Sequence, residues 1–130
     1  MIAIIDLNAE FAKLRMLKRR SPTTTDAEKN GAIARLAPYR DGAIFISKFA
    51  GTSDWERHPQ GDEIVQIVEG ATTLHLITPE GRQSVVLTAG MMAIVPQKTW
   101  HQFESLDGVC VMTATPQPTE HLAVGDPQTV

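Results

Sequence analysis

From residue 31 onward the chain is cut into short apolar runs by turn residues. The runs cover residues 32–37, 43–49, 63–69, 72–77, 84–88, 91–95, 100–104 and 109–115. Between them lie Pro38, Asp41-Gly42, Gly51, Gly61, Gly70, Pro79-Glu80-Gly81, Gly90, Pro96 and Asp107-Gly108. Strands at this spacing predict an all-β sandwich or barrel. In the run 43–49, Ala43, Phe45 and Phe49 fall on one face, and Ile44 and Ile46 on the other. Two apolar faces predict burial on both sides. One lines the barrel, and the other meets a second sheet or a partner subunit.

The segment before this region reads differently. Residues 2–5 suggest a short strand. Asn8 is placed to cap a helix running to about Arg19, with Glu10 near its start and Lys13, Arg15, Lys18 and Arg19 near its end, an order that complements the helix dipole. Phe11, Leu14 and Leu17 give it a narrow apolar stripe. The basic cluster 13–20 reads as a solvated helix end, with an anion-binding patch as its functional alternative. Residues 21–30 are polar, contain Pro22 and read as a loop. Residues 117–130 read as a polar tail that leaves His121 exposed. The expected organisation is therefore an arm over residues 1–30, a barrel over 31–116 and a tail over 117–130.

A chain of 130 residues suits one domain and buries roughly two-thirds of its unfolded surface. Its net charge of -3 supplies no global field to draw nucleic acid or an anionic membrane, so neither is an expected partner. The lone cysteine, Cys110, rules out a disulfide within the chain and suits a reducing compartment. The N-terminal apolar run before Asp6 is too short for a signal-peptide core or a bilayer span. The expected location is cytoplasmic.

The chemistry concentrates in WERHPQGDEIVQIVEG, residues 55–70. Glu56 and His58 sit at i and i+2, so an extended backbone turns both to one face. Pro59, Gln60, Gly61 and Asp62 reverse the chain, with Asp62 expected to cap the turn. Glu63 opens the next strand beside them, above an apolar floor of Val65 and Ile67. His101 stands on a later strand with Phe103 on its face. A buried carboxylate needs a cation or a donor. Two imidazoles and one or two carboxylates in an apolar cup suit a first-row divalent ion, with positions left open for water, dioxygen or a chelating substrate. His75 matches no ligand position and reads as structural. Cys110 reads as core, and Trp55 and Trp100 alternate away from the site to pack between sheets or across a dimer.

These two pieces together resemble the motifs of small single-domain cupins. The first family motif is approached by Gly51, Glu56-Arg57-His58, Glu63 and, six residues on, Gly70. The second is approached by Gly90, Pro96 after five residues, His101 and Ser105. The resemblance covers about residues 31–115. It implies a cupin double-stranded β-helix, a jelly-roll-like barrel, here with a short N-terminal helix, commonly dimeric, with metal ligands inside its wide end. Carried across position by position, the ligands are His58, Glu63 and His101, with Glu56 as a possible fourth. Glu56 replaces the usual first histidine, Lys98 the second-motif glycine and Ser105 the asparagine. Glu56 can bind the ion, pair with Arg57 or Lys98, or act as general base. If the site at Lys98 demands positive φ, that residue is strained or the turn differs from the family's.

The expected function is that of a metalloprotein using a divalent transition ion (Fe, Mn, Ni, Zn or Cu) on a small polar metabolite, as a dioxygenase, isomerase or lyase. The alternative is a metal-free cupin that binds or senses a small molecule. A homodimer is the expected assembly.

Overall fold

In a computed structural model, residues 2–127 are described. Helix α1 (Leu7–Ala12) is followed by β1 (Leu17–Arg20), a four-residue α2 (Asp26–Lys29), β2 (Ile33–Tyr39), β3 (Gly42–Thr52), β4 (Trp55–Arg57), β5 (Glu63–Thr78), β6 (Gly81–Thr88), β7 (Met92–Val95), β8 (His101–Pro116) and β9 (Glu120–Leu122). The strands form one nine-stranded sheet. β8 is its hub, pairing antiparallel with β3, β4 and β5. β5 also carries β6 and β7, and the sheet curls into the jelly-roll-like form that the family resemblance implies.

The long strands β5 and β8 must bend to serve both halves of the barrel. Their register shifts around Glu69–Thr73, where Gly70 adopts φ 77°. A Cβ at Gly70 would lie 2.2 Å from the Gly108 carbonyl oxygen, so only glycine lets the two backbones cross this closely.

Alternation along β3 separates two cores. Phe49 joins Val65, Ile67, Leu74, Val95, Phe103, Val109 and Val111 inside the barrel. Ile46 faces outward and packs with Cys110 and with Phe11 of α1. The outward face is therefore covered by the chain's own helix, where the apolar pattern suggested a second sheet or a partner.

The arm differs from its sequence pattern. Asp6, not Asn8, caps α1 by accepting a hydrogen bond from Ala9 N at 3.1 Å. The helix stops at Ala12 instead of continuing to Arg19. Leu14 packs with Phe11 on the outer face, but Leu17 belongs to the interior core, and one continuous helix cannot supply both faces three residues apart. The segment 17–20 is a strand, parallel to β3. Residues 2–5 form no strand, and Ile2 and Ile4 are exposed. The loop 21–30 contains α2, which Thr25 and Glu28 start with a capping box. The segment read as a tail supplies β9, which pairs with β4. Among the described residues no helix is long and apolar enough to cross a membrane.

Candidate metal centre

The site is built where β4, β5, β8 and β9 meet. On β4, Glu56 is the Cα partner of His101 on one side and of His121 on the other. Directly opposed residues turn to the same face of a sheet. His58 follows Glu56 by two and turns the same way. The turn after His58 returns the chain so that Glu63 opens β5 beneath both histidines. Asp62 fastens this turn to the one after Pro96, accepting from Gln97 N at 2.8 Å. Gln97 Nε2 donates to the Pro59 carbonyl at 2.6 Å, and Lys98 N to the His58 carbonyl at 3.1 Å. Lys98 does hold a left-handed backbone, φ 65°, at the position the family gives to glycine.

His58, Glu63 and His101 are buried, each no more than 3% exposed. Glu63 Oε2 lies 3.2 Å from His58 Nε2, and Glu63 Oε1 lies 3.1 Å from His101 Nε2. The imidazole centroids are 5.2 Å apart. His58 Nε2, Glu63 Oε1 and His101 Nε2 nevertheless lack an aligned hydrogen-bond partner. The far sides of the three groups are tied down. His101 Nδ1 donates to the Thr99 carbonyl at 3.0 Å, His58 Nδ1 meets Thr119 Oγ1 at 3.0 Å, and Thr115 Oγ1 donates to Glu63 Oε2 at 2.7 Å. With its proton committed to Thr99, a neutral His101 turns an Nε2 lone pair toward a carboxylate oxygen that also only accepts. Such a contact is repulsive unless a proton or a metal ion lies between them. Donors bound at the distances of a first-row ion sit about 3 Å from one another, close to the two Glu63–histidine contacts. Mutual spacing of ligand atoms within 4.8 Å is met by Glu56, His58 and His101, so the two imidazoles with one carboxylate fit a metal and Glu63 stands against both.

The electrostatics agree. Burial opposes a charge on Glu63, but His101 and His58 outweigh it and hold the carboxyl at about 2. Burial lowers the His101 imidazole, yet the Glu63 carboxylate leaves it raised above its ordinary value. Glu56 is raised, first by burial and then by Asp54 and Glu63. Its carboxylate offers an oxygen within 4.8 Å of ligand atoms on both His58 and His101. Arg57 does not pair with it. Arg57 is bound to Glu120 at 2.7 Å and lies over the Trp100 ring.

The remaining candidates fall away from the site. His75 bonds Ser84 Oγ at 2.7 Å and Glu104 Oε1 at 2.9 Å on the sheet surface. Trp55 is buried under Arg82, and Cys110 is buried in the outer core. Ser105 ties the β8 bulge, donating to the Ala71 carbonyl at 2.7 Å and accepting from Gly108 N.

Sequence reasoning missed Thr115, Thr119, Asp54 and Arg20. His121 belongs with them, since its Nδ1 lies 2.7 Å from Asp54 Oδ2 and 3.6 Å from Glu56 Oε1. Alternation of Val111, Thr113 and Thr115 along β8 signals that the threonines face inward. No local signal marks Arg20, which reaches the site by a long-range strand pairing. A cavity of about 370 Å³ opens over these groups, lined also by Phe45, Phe49 and Phe103.

Known proteins share the fold, and one is related in sequence. Uncharacterized protein YdbB of Bacillus subtilis (strain 168) is 29% identical over 70 residues, a match covering 54% of this chain and 59% of that protein. A cupin-2 domain containing protein from Shewanella frigidimarina superposes with a TM-score of 0.64 at 20% identity, covering 88% of this chain and 95% of that one. Hydroquinone 1,2-dioxygenase from Sphingomonas sp. TTNP3, solved with 4-hydroxybenzoate bound, superposes with a TM-score of 0.58 at 20% identity, covering 66% of this chain and 65% of that one. The family pattern of the cupin domain matches residues 45–115, more than half of the molecule. With a jelly-roll barrel and paired motifs to match, the chain belongs to the cupin domain family.

Proposed function

We propose that the protein is a mononuclear metalloprotein that acts on a small polar metabolite, with His58, Glu63 and His101 as ligands and Glu56 beside them. The observation that carries this reading is the unpartnered set of His58 Nε2, Glu63 Oε1 and His101 Nε2, with His101 already committed through Nδ1. A purely structural role would require a permanently protonated imidazole buried beside Glu63. A divalent ion satisfies all three atoms at once. When bound, the ion would supply Lewis acidity, and with a redox-active metal also electron transfer.

The chain's own residues do the rest. Thr99, Thr115 and Thr119 fix the orientation of the three ligands, as outer hydrogen bonds do in metal sites. Phe49 and Phe103 form an apolar wall that keeps bulk water away from the reacting groups. Glu56, its pKa raised by burial and by Asp54 and Glu63, and a quarter exposed, takes or returns a proton at its carboxylate oxygen. The dioxygenase among the structural neighbours supports oxygen chemistry as one member of the expected set, with isomerisation and lysis beside it, since a shared fold carries no reaction. Exposed Val86, Met92 and Ile94 on β6 and β7 support a homodimer.

Elemental analysis of the purified protein tests the reading. One transition ion per chain is expected, lost in His58→Ala and in His101→Ala. Failure to hold a metal after reloading with Mn, Fe, Ni, Cu or Zn, with a small molecule retained in the cavity, would establish the binding-module alternative instead.

A further inference from the structure

One buried charge plays no part in the metal centre. Arg20 ends β1, and the parallel pairing with β3 sets it against Gly51. A Cβ at Gly51 would lie 2.2 Å from the Arg20 carbonyl oxygen, so this glycine is what lets the arm lie close enough to deliver Arg20 inward. The side chain is 6% exposed and lies over the Phe49 ring, 4.6 Å from its centroid. It lines the same cavity as Glu56 and Glu63.

A buried guanidinium needs a counter-charge in contact. Asp54 Oδ1 is 4.0 Å from Arg20 Nη2, too far for a hydrogen bond. Asp54 is engaged elsewhere, by His121 Nδ1 at 2.7 Å. Arg20 Nε and Asp54 Oδ1 are both left without a hydrogen-bond partner. Lys29 adds a second cation to the cavity wall. Burial lowers the Arg20 pKa, while Glu56 and Asp54 raise it, and the charge is retained. The cluster Asp54, Glu56 and His121 also has metal-like spacing, but a cation seated there would face the Arg20 guanidinium across Asp54. An anion suits this wall better than a second metal.

We propose that the cavity takes an organic anion whose carboxylate pairs with Arg20, whose body lies on Phe49 and Phe103, and whose far oxygen reaches the His58, Glu63 and His101 centre. The proposal rests on the metal reading for the far oxygen alone.

Zinc-loaded protein titrated by calorimetry tests it, with zinc stoichiometry measured separately. The probes are 4-hydroxyphenylacetate and its one-methylene-longer homologue, each against its uncharged amide. Wild type is expected to prefer at least one acid over its amide by roughly tenfold or more. Arg20→Gln should erase that preference with zinc content unchanged. Arg20→Lys should weaken acid binding several-fold and keep part of the preference, which covers the case of an unfolded Gln variant. A preference that survives Arg20→Gln, equal binding of acid and amide, or no binding of any probe would overturn the proposal. If wild type takes up neither zinc nor Mn, Fe, Ni or Cu, the metal reading fails. The same titration of metal-free protein then decides the arginine site separately, an Arg20-dependent acid preference upholding it and equal or no binding overturning it.

Discussion

Replacing Glu63 with glutamine in the metal-free protein removes one charge from a buried trio and leaves its shape intact. The folded carboxyl titrates at about 2, against an ordinary 4.5. That difference corresponds to on the order of 3 kcal/mol of stability. The sign is fixed by its direction. A depressed carboxyl contributes fully above its unfolded value and loses the contribution as pH falls through about 2. His101 is raised, so its contribution is present below its unfolded value of 6.5 and is lost as pH rises through the folded one. Both partners are charged only between these limits. The stability difference between wild type and Glu63→Gln should therefore peak between about pH 5 and 6.5 and shrink on either side.

Urea unfolding in the presence of a chelator, repeated from pH 3 to 9, measures this directly. At the peak the variant's midpoint should be lower by roughly 1–2 M. Toward high pH the difference narrows for a second reason. The amide introduced by Glu63→Gln can donate to the His101 Nε2 lone pair, which the carboxylate cannot do. A difference that stays flat with pH, or that grows monotonically toward alkali, would refute the ion-paired arrangement of Glu63 and His101.

Gly51→Ala should cost about 2 kcal/mol or more in urea unfolding, because φ 111° and the Arg20 backbone both exclude a side chain there. Wild-type stability in this variant would show that the arm does not pack as described. Asp54→Asn should lower the His121 pKa toward its ordinary value, since the Asp54 hydrogen bond is the main cause of its rise; a proton NMR titration unchanged by the substitution would remove Asp54 as that cause. Met92→Glu should convert a dimer to a monomer in light scattering, as Met92 is 59% exposed and alternates with exposed Ile94 on β7. A dimer unaffected by it would place the interface elsewhere.

The barrel and the strands that carry the candidate site residues were legible because their signals are local. Gly90 and Pro96 bound β7, and Gly51 and Gly70 mark register shifts within β3 and β5, strands whose alternation already sorts inner from outer faces. Glu56, His58 and Glu63 lie within one short stretch of sequence, so an extended segment and a turn suffice to bring them together. His101 is distant, but Phe103 marks its face. The arm was not legible. Lys18 and Arg19 satisfy a helix dipole as written, and nothing nearby announces that Leu17 must enter the interior and Arg20 the cavity. The parallel pairing of β1 with β3 is a long-range contact, which sequence periodicity does not encode. The C-terminal segment failed likewise. Its polar composition describes a tail, while its fate is decided by the free edge of β4 that β9 covers.

These two illegible segments bear on whether the barrel exists for more than its own stability. Arg20 comes from the arm, Thr119 and His121 from the C-terminal segment, and Glu56 and Glu63 from the barrel. All five line one cavity, and His58 and His101 meet it through Glu63. Burying a charged group costs several kcal/mol unless a partner is in good geometry, and apolar residues of similar volume usually stabilise a fold at least as well. Selection for packing alone would have filled the cavity with more residues like Phe49 and Val111. The fold instead lines a cavity with ionisable groups, Glu63 in contact with His58 and His101, and with an arginine that stands 4.0 Å from the Asp54 carboxylate. Incomplete pairing on both walls is what the proposed ion and organic anion would each relieve, the first at His58, Glu63 and His101 and the second at Arg20.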